Sequence, residues 1–128
     1  MNSELIKWRM GKAKNTYQEG LLLLNAGMFD GAVNRFYYAV FHAMRSVLAT
    51  KGYDAPKHSG VISLFNKHFV KPGNFSKQAS KIVTSTFSER STADYNDYKT
   101  FQENEVNIIS DQVKSFLEEV EDYIKHYY

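Results

Sequence analysis

Residues 34–45, Asn-Arg-Phe-Tyr-Tyr-Ala-Val-Phe-His-Ala-Met-Arg, constrain this chain more than any other stretch, because they carry two unlike faces at one helical period. At about 100° per residue, Phe36, Val40, Met44 and Val47 fall together, with Val33 and Phe29 behind them. Arg35, Tyr38, His42 and Arg45 form a different stripe, spaced three, four and three. A face able to build a core thus carries two fixed cations, a phenol and an imidazole on its other side. Lys and Glu would be the default for a solvated face. The group present suits an anion such as phosphate.

The rest of the chain reads as helix too. Its two prolines, Pro56 and Pro72, sit at breaks, and no stretch alternates apolar and polar residues for the length of a strand. The spacing predicts a first helix over 3–26, capped by Ser3, with Ile6, Met10, Ala13, Tyr17, Leu21 and Leu24 buried. Trp8 and Leu22 lie off that stripe and need a second surface. Gly27 and Gly52 bound a second helix over 29–51, and the very short first loop makes the two helices antiparallel neighbours. A third helix is predicted over 57–70 (Val61, Ile62, Phe65 and Phe69 inward). A weaker fourth covers 75–87, on Phe75, Ala79, Ile82 or Val83, and Thr86 or Phe87. Residues 88–99 read as a polar loop. Thr100-Phe101-Gln102-Glu103 has the pattern of a capping box opening a last helix over 101–127, with Val106, Ile109, Val113, Phe116 or Leu117, Val120 and Ile124 inward. The expectation is an all-α, up-and-down bundle of four to five helices, one domain over 1–128.

Composition narrows the functions. A chain 43% hydrophobic and 15% aromatic can bury a core. The excess of tyrosine over its single Trp fits half-buried or interface surfaces. A net charge of +2 is too weak for a general nucleic-acid footprint, so such binding needs local clustering. The absence of cysteine excludes disulfides and thiolate chemistry. The start carries Glu4, Lys7 and Arg9 and no signal-peptide pattern, and the longest apolar run, 21–24, is far too short to span a bilayer. A soluble cytoplasmic protein without a membrane partner is the simple expectation.

His42, His58, His68 and His126 have no His or carboxylate at i+3 or i+4 to complete a helical ligand pair, so no metal is expected. No glycine-rich phosphate loop occurs, and no cofactor is expected. What remains is acid–base chemistry on a phosphodiester. Arg35 can spread donors over a phosphate, and His42 can take a proton from a ribose 2′-hydroxyl or give one to a leaving oxygen. The plainer alternative is that Tyr38 and His42 bond at a helix crossing and Arg35 pairs with an acid from another helix. Residues 89–98 add Arg90, Asp94 and Tyr95 as parts of a phosphate or nucleotide site, or as a loop tied by an Arg90–Asp94 pair. Lys57 and His58, at a helix start, can hold an anion or act as a polar cap.

Residues 32–43, Ala-Val-Asn-Arg-Phe-Tyr-Tyr-Ala-Val-Phe-His-Ala, resemble the core helix of the HEPN superfamily, in its small stand-alone UPF0332-type branch. Lys57-His58-Ser59-Gly60-Val61 resembles that branch's third-helix start, and Arg90 through Asp94-Tyr95 its Arg…Ala-Asp-Tyr segment. The resemblance implies a helical bundle that often dimerises and is commonly paired with a minimal nucleotidyltransferase in a toxin–antitoxin module. It also implies a metal-independent endoribonuclease whose Arg-(four to six residues)-His signature meets a second copy. Arg35 and His42 satisfy that spacing. In active members, however, the signature sits near the last long helix, where this chain has Arg90 and, in the place of the His, Tyr95. The candidates are thus Arg35, His42 and Arg90 for catalysis, and Tyr38, Arg45, Lys57, His58, Asp94 and Tyr95 for binding. Two functions stay open: an enzyme that cuts RNA, and a module that binds a nucleotide, RNA or a nucleotidyltransferase without cutting.

Overall fold

A computed structural model of the chain describes residues 2–128. Five helices follow one another: α1 (Ser3–Asn25), α2 (Phe29–Ala49), α3 (His58–Phe65), α4 (Lys77–Tyr95) and α5 (Glu103–Ile124). A π-helical turn, Asn66–Val70, extends α3, a short 3-10 turn, Lys125–Tyr127, ends the chain, and no strand occurs among the described residues. The all-α bundle is as the periodicity predicts.

The α1–α2 connection shows why the two helices fold back on each other. Gly27 has a φ of +75°, and the Met28 and Gly27 amides donate to the Leu23 and Leu24 carbonyls at 2.9 and 3.0 Å. That is a Schellman closure, which satisfies the last carbonyls of α1 and reverses the chain in three residues. The helices then approach closely. A Cβ on Gly20 would lie 2.5 Å from Cε1 of Phe36, so only glycine fits opposite that ring.

α2 touches every other helix. Phe36, Val40, Met44 and Val47 are all fully buried, and one apolar cluster joins them to side chains from all five helices. Truncating a ring such as Phe36 to Ala costs about 3–5 kcal/mol in a core of this kind. Buried Ser46 keeps its hydroxyl satisfied by donating to the Ile6 carbonyl at 2.8 Å.

Several expectations need correction. Asn2, not Ser3, caps α1, its side chain accepting from the Leu5 amide at 3.0 Å. On α1, Thr16 and Gly20 are buried, while Tyr17 and Leu21 are half-buried. The capping box sits two residues later than predicted. Gln102 is the N-cap and the Glu105 carboxylate accepts from its amide at 2.9 Å. The N-cap follows from Phe101, which is buried one residue before it, with Val106 buried at the position a hydrophobic staple uses. The largest correction concerns α4, which runs through 88–95 instead of giving way to a loop. Its polar second half is held by packing on α2 and by local bonds such as Thr92 Oγ1 to the Ser88 carbonyl at 3.1 Å. Trp8 and Leu22 remain 73% and 70% exposed on the single chain.

Candidate functional site

The polar stripe of α2 meets α4 on one flank and the start of α3 on the other. Tyr38 is the hub. Arg90 of α4 donates from Nη2 to the Tyr38 hydroxyl at 3.0 Å, and its guanidinium carbon lies 5.4 Å from the Tyr38 ring centre. The Arg35 guanidinium lies 5.2 Å from the same ring centre. One phenol therefore has two arginines against it, an arrangement in which ring electrons hold cations without consuming all their N–H donors.

The carboxylates nearby hold these arginines loosely. Arg90 Nε lies 3.0 Å from Asp94 Oδ2, one helical turn along α4, yet it has no aligned hydrogen bond. We read the contact as charge attraction without a directed bond. Arg35 stands 3.6 Å from Glu19 of α1, which is the acid from another helix that the plainer reading names, and donates to its own neighbour Asn34 at 2.7 and 3.1 Å. Asn34 in turn donates to both Asp94 oxygens at 3.3 Å, joining α2 to α4.

His58, the first residue of α3, completes the cluster. Its ring lies 4.2 Å from that of Phe41, and its Nδ1 is 3.0 Å from the hydroxyl of Tyr37, which is fully buried. Burial pushes the Tyr37 phenol well above its ordinary pKa, so it keeps its proton, and since Nδ1 is its one hydrogen-bond partner among the described residues, the buried O–H is satisfied by donating there. Burial, then the Arg90 charge, lower the pKa of His58, which is neutral at pH 7. The network therefore assigns the ring proton to Nε2, leaving an N–H donor free. A cavity of about 550 Å³ opens beside this ring, bordered also by Phe41, Arg45 and Asp54.

His42 lies on the same stripe, half-buried, with its ring 6.3 Å from that of Tyr38. Burial, followed by the charges of Lys12, Arg45 and Arg35, lowers its pKa to about 4. It is thus a neutral imidazole among cations, free to accept a proton. An anion placed there would raise its basicity.

Arg35, Tyr38, His42, His58, Arg90 and Asp94 are therefore brought together, although Arg90 and Asp94 come from a helix, not from the expected loop. Arg45 serves another structure. It donates to Asp54 at 2.9 Å, and Arg9 of α1 donates to the same oxygen at 3.1 Å and to the Arg45 carbonyl at 3.0 Å. The Arg45 bond and the Ala55 amide hold the Asp54 carboxyl below its usual pKa. Lys57 and Tyr95 lie outside the hydrogen-bonded cluster; both are exposed, at the N-cap of α3 and the last turn of α4. Asn34, Tyr37 and Phe41 are partners that sequence reasoning passed over. Tyr37 alone left a signal, since a phenol on an apolar face needs a buried acceptor. Among the described residues, no group of three His, Asp or Glu could hold a metal, and no helix is long and apolar enough to cross a membrane.

Residues 6–123 match the family described as HEPN domain. The chain is 34% identical over 122 residues to a UPF0332 protein of Thermotoga maritima, covering 95% of this chain and 92% of the relative. It is 32% identical to "Putative toxin MJ0605" of Methanocaldococcus jannaschii, covering 84% of this chain and 85% of the relative. A second protein of that organism, "Putative toxin MJ0142", is 28% identical over 88% of this chain and 77% of its own length.

Proposed function

The chain belongs to the HEPN domain family, and on that premise we propose that it is the toxin-type member of a two-protein module, cleaving RNA phosphodiesters without a metal. The observation that carries this reading is the pair of arginines on the Tyr38 ring, beside an imidazole that is neutral at pH 7. The names of the Methanocaldococcus jannaschii relatives support the toxin role. In the step we assign, the ribose 2′-hydroxyl oxygen bonds to the adjacent phosphorus as its proton passes to His42. The P–O5′ bond breaks, O5′ takes a proton from water, and the hydroxide so formed takes the proton from His42, restoring the neutral ring. Arg35 and Arg90 stabilise the charge that gathers on the phosphoryl oxygens, and the His58 Nε2–H offers a further donor. The products are a 2′,3′-cyclic phosphate and a free 5′-hydroxyl.

A homodimer fits this reading. Trp8 and Leu22 are large exposed apolar side chains, and a second copy bringing another Arg35–His42 pair would complete a shared cleft. A minimal nucleotidyltransferase is the proposed second protein. A non-cutting module that binds RNA, a nucleotide or that partner is the other reading. It is favoured by Tyr95, which stands where the family signature has its His and is 77% exposed.

The test is incubation of RNA with the purified protein in excess EDTA, reading product ends. Cyclic-phosphate ends from the wild type, lost in Arg90→Ala protein with an unchanged circular-dichroism spectrum, are expected. Intact RNA after long incubation with a dimer verified by light scattering overturns cleavage and leaves the binding reading. A monomer by light scattering removes the shared cleft.

A further inference from the structure

Charge is unevenly distributed along this chain. Between Asp54 and Glu89 there is no acidic residue, yet that stretch holds Lys57, Lys67, Lys71, Lys77 and Lys81. Helix α5 has the opposite bias, with Glu103, Glu105, Asp111, Glu118, Glu119, Glu121 and Asp122 against Lys114 alone. The net charge of +2 is the sum of a basic and an acidic part.

The fold puts two of the lysines on one face of α4 and two more in the turn tied to it. Lys77 and Lys81 lie one turn apart on the exposed face of α4, in line with exposed Thr84 and Ser88 at spacings of four, three and four. A shallow groove of about 500 Å³ joins that face to Val70, the last residue of the π-helical turn. Lys71 follows Val70, and Lys67 lies one turn before Lys71. Ser80 and Asn66 tie the turn to α4 with a 2.9 Å hydrogen bond. All four lysines are exposed, and none joins an ion pair among the described residues, whereas Lys14, Lys99 and Lys125 each face an acid.

Four ammonium groups without an ion pair offer donors along this side; Thr84 Oγ1 is already spent on the Ser80 carbonyl at 3.1 Å, and the carboxylate bonded to the start of α4, Glu119, is held by the Ser76 amide and hydroxyl at 2.8 and 2.9 Å. The line also has a direction. It runs along the helix that carries Arg90, thirteen residues or about 20 Å of helix beyond Lys77, with Arg90 turned about 140° round the helix from Lys77, toward Tyr38 of α2. We propose that this face is a track for the sugar–phosphate backbone of RNA, an outer surface that holds the strand as it passes round α4 to the Arg90 cluster. The proposal rests on the reading of that cluster as a phosphate site and gives it a substrate class, an extended polyanion in place of a free nucleotide. Such a track recognises charge and not base sequence.

The test is binding of a fluorescein-labelled oligouridylate in EDTA at several salt concentrations, in a His42→Ala background so that the strand stays intact. For a single strand, log K falls with log salt by about 0.7 per phosphate contact. Changing Lys67, Lys71, Lys77 and Lys81 to Gln is expected to flatten the slope by up to about 3 and to weaken binding at 50 mM salt at least about tenfold. Pairwise changes, Lys67→Gln with Lys71→Gln and Lys77→Gln with Lys81→Gln, each give about half of that and guard against misfolding of the fourfold variant. Lys114→Gln with Lys125→Gln is expected to leave the slope unchanged. An unchanged slope in the fourfold variant, or no binding by the His42→Ala protein, overturns the track. Poly-glutamate that displaces the oligonucleotide as well as unlabelled RNA does also overturns it, because it assigns the face to an acidic protein. The lysine variants report on the track alone, and the product ends formed by wild-type protein report on the cluster, so each reading fails separately.

Discussion

Two arginine clusters are centred on the same helix, at Tyr38 and at Arg45, about two turns apart, and they are built in opposite ways. Around Arg45 every oxygen of Asp54 is engaged. Arg9 and Arg45 share one at 3.1 and 2.9 Å, and the Ala55 amide takes the other at 2.9 Å. Around Tyr38, Arg90 lies beside Asp94 without an aligned bond from Nε, Arg35 is 3.6 Å from Glu19, and both guanidiniums rest on aromatic faces. The first cluster spends its donors on the fold, bracing α1, α2 and the segment before α3. The second holds Arg90 between Tyr38 and Asp94 with its Nε buried, and leaves Arg35, whose side chain is 37% exposed, as the guanidinium that faces solvent. An arginine's role in this protein is thus read from how completely its N–H groups are used.

On this contrast the two clusters respond differently to substitution. The largest effect is expected at the loose cluster and on activity alone. His42→Ala should lower RNA cleavage by about 10²–10⁴-fold with little change in Tm. The acid limb of kcat/KM for the wild type should fall near pH 4, where the free imidazole titrates, and the limb of kcat should lie higher, since bound phosphate favours the protonated ring. At the tight cluster the order reverses. Asp54→Ala leaves two guanidiniums facing each other and should cost about 1–3 kcal/mol, a fall of roughly 5–10 °C in Tm, while turnover of RNA below the melting range changes little. A scan in which Tm is unmoved would erase the distinction.

Smaller effects probe the boundary. The folded pKa of His42 lies below its ordinary value of 6.5, so the unfolded chain binds this proton first. Stability should therefore rise with pH between about 4 and 6.5 and be lost as pH falls through that window. The contribution is about 1–2 kcal/mol, discounted because the ring is half exposed to screening solvent. Urea midpoints of wild type and His42→Gln, measured across that window, isolate it. Tyr37→Phe should cost about 1 kcal/mol by stranding His58 Nδ1. It should also move the ¹⁵N shifts of the His58 ring toward a tautomer mixture, which a purely packing role for Tyr37 would not do. Glu19→Gln should change stability by less than about 0.5 kcal/mol, since its pairing with Arg35 is long and wet.

Much of α2 was readable beforehand. Phe36, Val40, Met44 and Val47 are buried as their spacing requires, and Arg35, Tyr38 and His42 share the opposite face. The partner helix was not readable at its far end. After Phe87, α4 has no apolar stripe and much Ser and Thr, which local propensity assigns to a loop, but packing against α2 carries the helix on to Tyr95. That continuation sets Arg90 and Asp94 one turn apart and aims them at Tyr38, a placement no spacing rule within either segment contains. The capping box shows the same limit on a smaller scale. Thr100 and Gln102 both precede a Glu by three residues, and the buried ring of Phe101 decides between them. The Tyr37–His58 bond spans two helices and leaves no local trace beyond a polar atom in an apolar row.

The bare position at residue 20 has a consequence for the cationic face. Glu19 and Arg35, the pair joining α1 to α2 there, each immediately precede a member of the Gly20–Phe36 contact. A single added methyl would act as a wedge, levering the two rods apart just where that pair meets. Gly20→Ala is thus a means of widening the mouth of the cluster without touching any charged group, converting a question about chemistry into one about clearance.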